Sequence, residues 1–373
     1  MAGGSGPKKR RGRRRNLATK LTDDLLVEIL SRVPYKSLCR FSCDDHRFPE
    51  RARHFVNVSL PARCGPFIHP SLSFLPIHDC GHLKLLDSCN GLLLCRCLDP
   101  GDPDEFNYVV VNPATEKWVS VPVSQRWSSK LQTVRLGFDP AVSSHFHVFA
   151  FQVDLGDEDE YDYHDIYGQI LGVDIYSSKT GVWSHKHIGS DFSMEHDSTS
   201  MSVFFNGMLY MVAIEDVIVA VDVEGKTCRI IDMPPRQTYH CHNGFERFID
   251  LSQGQLHFTR VSDIVSGKIS IRVLRHTSAS DEWTLKHSVN FVDLVQEKYS
   301  YGHHFLISVC IHPERNLIFF VFGRDKTLVS DKTLVSYDMD TGKVCAFGKH
   351  GQNCNGHYIP YVPLFSESLV DGK

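Results

Sequence analysis

The sequence predicts a mainly β protein: a β-propeller of about six blades, preceded by a short, incomplete α-helical segment. Three features carry that expectation. One stretch, Leu21 to Phe41, has apolar residues at the helical period. From Phe55 onward the chain breaks into short apolar runs with period-2 alternation, rich in Val, Ile, Phe and Tyr, as strands are. Those runs recur as five self-similar units, the signature of a ring or array of repeated sheets. The expected divisions are a basic tail over 1–20, the helical segment over 21–43, a linker over 44–54 and the β domain over 55–373.

Of 373 residues, 42% are hydrophobic and 23% charged, with a formal net charge of −4, which suits a soluble globular chain with ample core material. A membrane-spanning helix needs about 18 or more consecutive apolar residues, and no such run occurs. The N-terminus is basic but lacks the apolar stretch and small-residue cleavage site of a secretory signal. Most of the twelve cysteines sit in apolar strands as small hydrophobes, such as Cys310 in LISVCI. The expected compartment is therefore reducing, the nucleus and/or cytoplasm.

The tail is Gly- and Lys/Arg-rich, and the run Lys8 to Arg15 (KKRRGRRR) cannot bury itself, so disorder is expected there. It reads either as a nuclear import signal or nucleic-acid-adherent tail, or as a solvated tail with no receptor. The rest of the chain is net acidic and lacks a basic–aromatic surface pattern, so nucleic-acid recognition is not expected.

In the helical segment, Thr22 is a good N-cap, because its hydroxyl can accept from the free N–H groups of the first turn. Asp23 and Asp24 follow, where negative charge meets the positive end of the helix dipole. Leu25, Leu26, Ile29, Leu30 and Val33 form one apolar stripe. Pro34 stops that helix and can open a second, which carries Leu38 and Phe41 three residues apart.

The pattern L-x-D-D-L-L-x-E-I-L-S-R-x-P-x-K-S-L-x-R-F over these residues resembles the first half of an F-box. The matching positions are Leu21, Asp23, Asp24, Leu25, Leu26, Glu28, Ile29, Leu30, Ser31, Arg32, Pro34, Lys36, Ser37, Leu38, Arg40 and Phe41. The resemblance implies docking to a Skp-type adaptor, and through it to a cullin scaffold, in an SCF-type ubiquitin ligase. It also implies adaptor contacts by Leu21, Leu25, Leu26, Ile29, Leu30, Pro34, Leu38 and Phe41. Two positions depart from the family. Thr22 stands where proline is usual, and both suit a helix start. After Phe41 the family's third helix, of the kind C-x-S-W-R-x-L-I, is replaced by Ser42-Cys43 and DDHRFPERARHF, which has no Trp and no apolar stripe. Burying four or five Leu/Ile side chains gives roughly 6–12 kcal/mol gross, while association costs about 4–15 kcal/mol. Two short helices alone are therefore near break-even as a docking element.

The β units each join a tight turn and an apolar strand to a later strand pair. The turns precede LLLC (Asn90-Gly91), FHVFAF (His145), MLYMVA (Asn206-Gly207), QLHF (Gln253-Gly254) and LIFFVF (Asn316). The later pairs run over 109–122, 173–186, 219–234, 271–286 and 335–347. In them Trp118, Trp183, Arg229, Trp283 and Cys345 occupy corresponding places at a mean spacing of about 57 residues, which fits a four-stranded blade with variable loops. Strands near 55–75 and the C-terminal YIPYVPLFSESL (358–369) are expected to share a closing blade, which hides the edges of the ring. The pieces CNGLLLC, VVNPATEKWVSVP, RLGFDP, the Y-S-S-x-T-G-x-W element and YIPYVPLFSESL resemble the F-box-associated domain of large plant F-box families. Kelch and WD-type signatures are absent.

Two segments stand outside the repeat. Asp154 to Asp165 (DLGDEDEYDYHD) is strongly acidic and reads as a solvated loop, or else as a surface for a basic partner or the chain's own tail. DKTLVSDKTLVS (325–336) is a tandem copy of six residues, an even insertion that keeps strand parity and should loop out or lengthen a hairpin.

No catalytic constellation is expected. There is no Gly-x-Ser-x-Gly elbow, phosphate loop or dinucleotide fingerprint. No C-x-x-C pair occurs; Cys95-x-Cys97, Cys39-x3-Cys43 and His240-Cys241-His242 lack the spacing of a four-ligand zinc site. The expectation is a non-enzymatic protein without metal or cofactor, binding the adaptor through the F-box and an unidentified protein substrate through the β domain. The alternative is an interaction propeller whose F-box has lost adaptor binding.

Overall fold

Three dipeptides, Asn90-Gly91, Asn206-Gly207 and Gln253-Gly254, hold both residues at positive φ: 45° and 90°, 50° and 75°, 52° and 69°. That is the backbone of a type I′ hairpin turn, whose twist matches the strands it joins. In the computed structural model these turns open three of five antiparallel sheets, four of them four-stranded and one five-stranded. The structure describes residues 37–41, 53–57, 72, 74–75, 82–99, 101–102, 105–124, 133–154, 167–188, 193–195, 202–213, 216–226, 228–235, 247–261, 268–276, 281–290, 294, 305–323, 332–350 and 358–365.

Strands β1 (Ser37–Phe41) and β2 (Arg53–Asn57) precede the repeats. The first blade is β3 (His82–Cys89), β4 (Leu92–Leu98), β5 (Phe106–Asn112) and β6 (Lys117–Val121). The second is β7 (Thr133–Gly137), β8 (His147–Asp154), β9 (Tyr167–Ser177) and β10 (Val182–His187), with the short β11 (Ser193–Glu195) pairing on β9. The third is β12 (Val203–Phe205), β13 (Met208–Val212), β14 (Val217–Asp222) and β15 (Cys228–Asp232). The fourth is β16 (Arg247–Ser252), β17 (Gln255–Val261), β18 (Lys268–His276) and β19 (Asp281–Asn290). The fifth is β20 (Phe305–Ile311), β21 (Leu317–Gly323), β22 (Lys332–Asp338) and β23 (Val344–His350). β24 (Tyr358–Tyr361) joins β1 and β2 in a three-stranded sheet of order β2-β1-β24.

The first strand of each blade lies beside the first strand of the next, β3 to β7, β12, β16 and β20 in turn. β24 fills the gap between β20 and β3. The fold is thus a β-propeller of five full blades with a smaller sixth sheet completing the ring, close to the six expected. The five later-strand pairs read from the sequence are the third and fourth strands of the blades.

The N-terminal segment differs from expectation. Ser37–Phe41, read as a second helix, is a strand, with Cys39 opposite Phe55 on one side and Ile359 on the other. A five-residue helix has little stability of its own, and ladder pairing on both sides satisfies the backbone more completely. Leu38 and Phe41 therefore belong to the closing sheet. The closing sheet combines both chain ends as anticipated, but β1 rather than β2 pairs with β24. β2 also begins at Arg53, inside the expected linker. Leu21, Leu25, Leu26, Ile29, Leu30 and Pro34 lie outside the described residues, as do the basic tail and most of the acidic segment.

The core is sliced into layers between blades. Tyr108, Val110, Leu136 and Phe138 fill the space between the first and second blades, and Phe149, Val173, Leu209 and Val219 that between the second and third. Ile218, Ala220, Ile249 and Phe258 join the third to the fourth; Ile269, Ile271, Ile318 and Phe320 join the fourth to the fifth.

Carboxylates pin the inner strands together. Asp87 accepts from its own neighbour Ser88 N at 2.8 Å and from Leu136 N of the next blade at 2.8 Å. Asp250 does the same with Leu251 N and Ile311 N. Two residues on, Cys89 Sγ donates to Phe138 O and Ser252 Oγ to His312 O. The sequence D-x-(Cys/Ser)-(Asn/Gln)-Gly, over 87–91 and 250–254, encodes this clip twice.

Closure rests on the turn at Asn90-Gly91. Asn112 Nδ2 donates to Leu364 O at 2.9 Å, and Tyr361 is fully buried with Leu72, Leu85 and Leu93. A Cβ at Gly91 would stand 2.3 Å from Leu364 Cβ, whereas one at Gly207 would meet nothing within 4 Å. Both glycines are in the left-handed region, which costs an L-residue about 1–2 kcal/mol, and overpacking adds about 1–3 kcal/mol. Gly91→Ala should therefore destabilise the protein by about 2–5 kcal/mol and Gly207→Ala by only about 1–2 kcal/mol in denaturant titrations. Equal losses would show that the C-terminal segment does not press on this turn.

Candidate functional site

Strand direction alternates in every blade, so the connections sort onto two faces. The first and third hairpins return at one end, through tight turns at Asn90-Gly91, Asn206-Gly207 and Gln253-Gly254, four-residue turns around Glu116 and Gly181, five-residue turns around Gly225 and Gly342, and the longer β7–β8 connection over 138–146. The second hairpins and the crossings between blades gather at the other end. They span 99–105, 155–166, 213–216, 262–267 and 324–331, and 122–132, 188–202, 233–246, 291–304 and 351–357. Binding residues concentrate on loops held by a rigid scaffold, which makes this loop face the candidate site.

The connections over 99–105 and 155–166 belong to neighbouring blades. Asp99, Asp102 and Glu105 lie in the first of these, and the acidic run from Asp157 to Asp165 in the second lies outside the described residues. His240-Cys241-His242 lies in the crossing between the third and fourth blades, outside the described residues. The first copy of the DKTLVS tandem spans the β21–β22 connection, while the second supplies the start of β22.

Below the face, between the third and fourth blades, Asp216 accepts from Arg247 Nη1 and Arg260 Nη2, each at 3.2 Å. Arg247 also donates to Ala213 O at 3.1 Å, and Arg260 to Pro234 O. Asp216 holds φ at +59°, so two guanidinium groups fix an otherwise strained loop.

Ser124, Asp174 and His185 form the arrangement most like a catalytic one. Ser124 Oγ donates to Asp174 Oδ2 at 2.6 Å and His185 Nδ1 lies 2.7 Å from Asp174 Oδ1. The carboxylate stands between the other two, so the hydroxyl bonds to the acid rather than to the imidazole. A nucleophile needs the reverse order, with the base against the hydroxyl. The group instead ties the end of the first blade to the second. Outer tryptophans tie blades likewise: Trp183 Nε1 donates to Pro122 O at 2.7 Å and Trp283 Nε1 to Asp232 O at 2.8 Å. At the corresponding place in the third blade, Arg229 pairs with Asp281.

No group of three or more potential metal ligands occurs among the described residues. Cys89, Cys95, Cys228, Cys310 and Cys345 form no disulfide, but Cys97 is disulfide-bonded, which departs from the expectation of reduced thiols. No helix among the described residues is long and apolar enough to cross a membrane. Of the expected adaptor-binding residues, only Leu38 and Phe41 are described, and both lie in β1. The inter-blade staples went unread because they pair residues about 50 or more positions apart, beyond any local pattern.

Between the fourth and fifth blades, His257 Nδ1 donates to Gln255 O at 2.9 Å and its Nε2 accepts from Lys286 Nζ at 3.1 Å. Only the neutral ring satisfies both. Burial lowers its pKa to about 4; the Gln255 bond opposes this and Lys286 adds to it. The unfolded chain would protonate His257 near 6.5, the folded chain only near 4. Between those values the unfolded state binds more protons, so stability falls as pH falls, by roughly 2–4 kcal/mol in all. His257→Gln should flatten the stability profile between about pH 6.5 and 4. An unchanged slope would show that the ring is not held neutral.

Sequence comparison is consistent with this architecture. Residues 55–360 match the family described as F-box protein At3g26010-like, beta-propeller. The chain is similar to the Arabidopsis thaliana "F-box protein At5g07610", 26% identical over 312 residues, 73% of this chain and 71% of that one. It is also similar to the Arabidopsis thaliana "Putative F-box/kelch-repeat protein At1g15680", 22% identical, over 94% of this chain and 90% of that one. Among solved structures, the Nup133 β-propeller domain of Vanderwaltozyma polyspora aligns with a TM-score of 0.40 at 10% identity, covering 77% of this chain and 71% of that one.

Proposed function

We propose that this chain, which belongs to the F-box protein At3g26010-like β-propeller family, is the substrate-receiving subunit of an SCF-type ubiquitin ligase. In this reading the segment from Leu21 to Phe41 docks a Skp-type adaptor, and through it a cullin scaffold. The loop face holds a protein substrate. The observation that carries the reading is the pairing of an F-box-like segment with a ring of sheets whose second hairpins and blade crossings share one face.

The mechanism is proximity. Holding a substrate beside a charged conjugating enzyme raises the effective concentration of its lysines to that of an intramolecular encounter. The receptor performs no covalent step. Ring rigidity matters because a pre-organised loop face loses less conformational entropy on binding. The basic run Lys8 to Arg15 supports residence in the nucleus and/or cytoplasm.

A second reading is favoured by one observation. Ser37–Phe41, half of the expected docking element, is a strand of the closing sheet. A propeller that binds protein substrates without joining a ligase would look like this. Pull-down with purified Skp-type adaptor separates the two. The receptor reading expects the unaltered chain to be retained and the Leu25→Asp/Ile29→Asp variant to lose tenfold or more in affinity. No retention above that variant would leave the interaction propeller as the function.

A further inference from the structure

Resting on that receptor reading, we infer that adaptor docking and ring closure compete for the same residues, Ser37–Phe41, so that the closed propeller restrains its own assembly into the ligase. β1 is the middle strand of the closing sheet. Ser37, Leu38, Cys39 and Arg40 stand opposite Tyr361, Pro360, Ile359 and Tyr358 of β24, and Ser37 to Phe41 stand opposite Asn57 to Arg53 of β2. Removing β1 leaves β2 with no partner in the sheet and β24 with none on that side.

The same residues cannot serve both roles at once. Leu38 and Phe41 are three apart. In a helix that spacing puts them on one face, as a one-sided docking surface requires; in a strand it puts them on opposite faces. Docking that uses both side chains therefore needs β1 out of the sheet. The closing sheet is suited to such an exchange. Its strands are five, five and four residues long, against seven or more for every strand of the fifth blade. Its inner strand also contains Pro360, which has no N–H to donate. The remaining blades keep their own four-stranded pairing when β1 leaves.

Competition of this kind lowers apparent adaptor affinity by the fraction of chains whose ring is open. A staple across the closing sheet reads that fraction. Cys39 lies opposite Ile359, and both classes of antiparallel pair have Cα separations within the range a disulfide spans. In the full-length Ile359→Cys chain, the oxidised form should bind purified Skp-type adaptor at least tenfold more weakly than the same protein reduced. Peptide mapping identifies the bond to Cys39, and a melting curve like that of the unaltered chain identifies the fold. Equal affinity in the two states overturns the competition while leaving the receptor reading in place. Absence of binding in both states, and in the unaltered chain, overturns the receptor reading and the competition with it. Should the variant fail to fold, amide exchange at Tyr358–Tyr361 in the unaltered chain decides: faster exchange on saturation with adaptor supports the competition, and no change overturns it.

Discussion

A ring of sheets is stable only if its first and last members touch, and here that contact depends on β24 seating between β20 and β3. Tyr361 is buried against the first blade, Asn112 bonds Leu364 O, and Gly91 makes room for the passing backbone. Every inter-blade core layer is then flanked by sheets on both sides. Without the seat, the inner strands of the first and fifth blades would become open edges, the feature that β proteins otherwise cover or charge. Closure also links the two ends of the chain, because β24 is held from its outer side by β1.

The inter-blade bonds work within that frame. Asp87 is buried, and burial pushes its carboxyl above the usual range, with Arg135 and its hydrogen bonds opposing. It meets donors from two other blades, Leu136 N and Ser202 Oγ, which is how a short side chain near the ring centre can set the spacing of inner strands. Asp250 repeats the device three blades on. The third blade has Val203 at the equivalent place and relies on side-chain packing and the Arg229–Asp281 pair at its outer edge. Different blades therefore solve the same joining problem with different chemistry, and the repeat is structural more than sequential.

Much of this was legible because it is local. Asn-Gly and Gln-Gly turns, the alternating strands and the corresponding places of Trp118, Trp183, Arg229, Trp283 and Cys345 all follow from residues within one hairpin. Each of those five lies on the fourth strand of its blade. What the sequence concealed is long-range. Ser37–Phe41 carries helical spacing, yet its neighbours in space are residues 53–57 and 358–361, and ladder pairing with both outweighs a weak local preference. The Asp174 staple and the two arginines on Asp216 likewise depend on partners from other strands. The candidate site was legible as a class, a loop-lined face of the ring, while its individual binding residues follow from no local pattern.

The account stands on both chain ends meeting in one sheet, and amide hydrogen exchange of the free, full-length chain tests that most directly. The predicted result is matched protection of Ser37–Phe41 and Tyr358–Tyr361, lost together as denaturant is raised, because each strand satisfies the other's backbone. Rapid exchange throughout Ser37–Phe41 beside a protected Tyr358–Tyr361 would contradict it, since the ring would then close without its N-terminal strand.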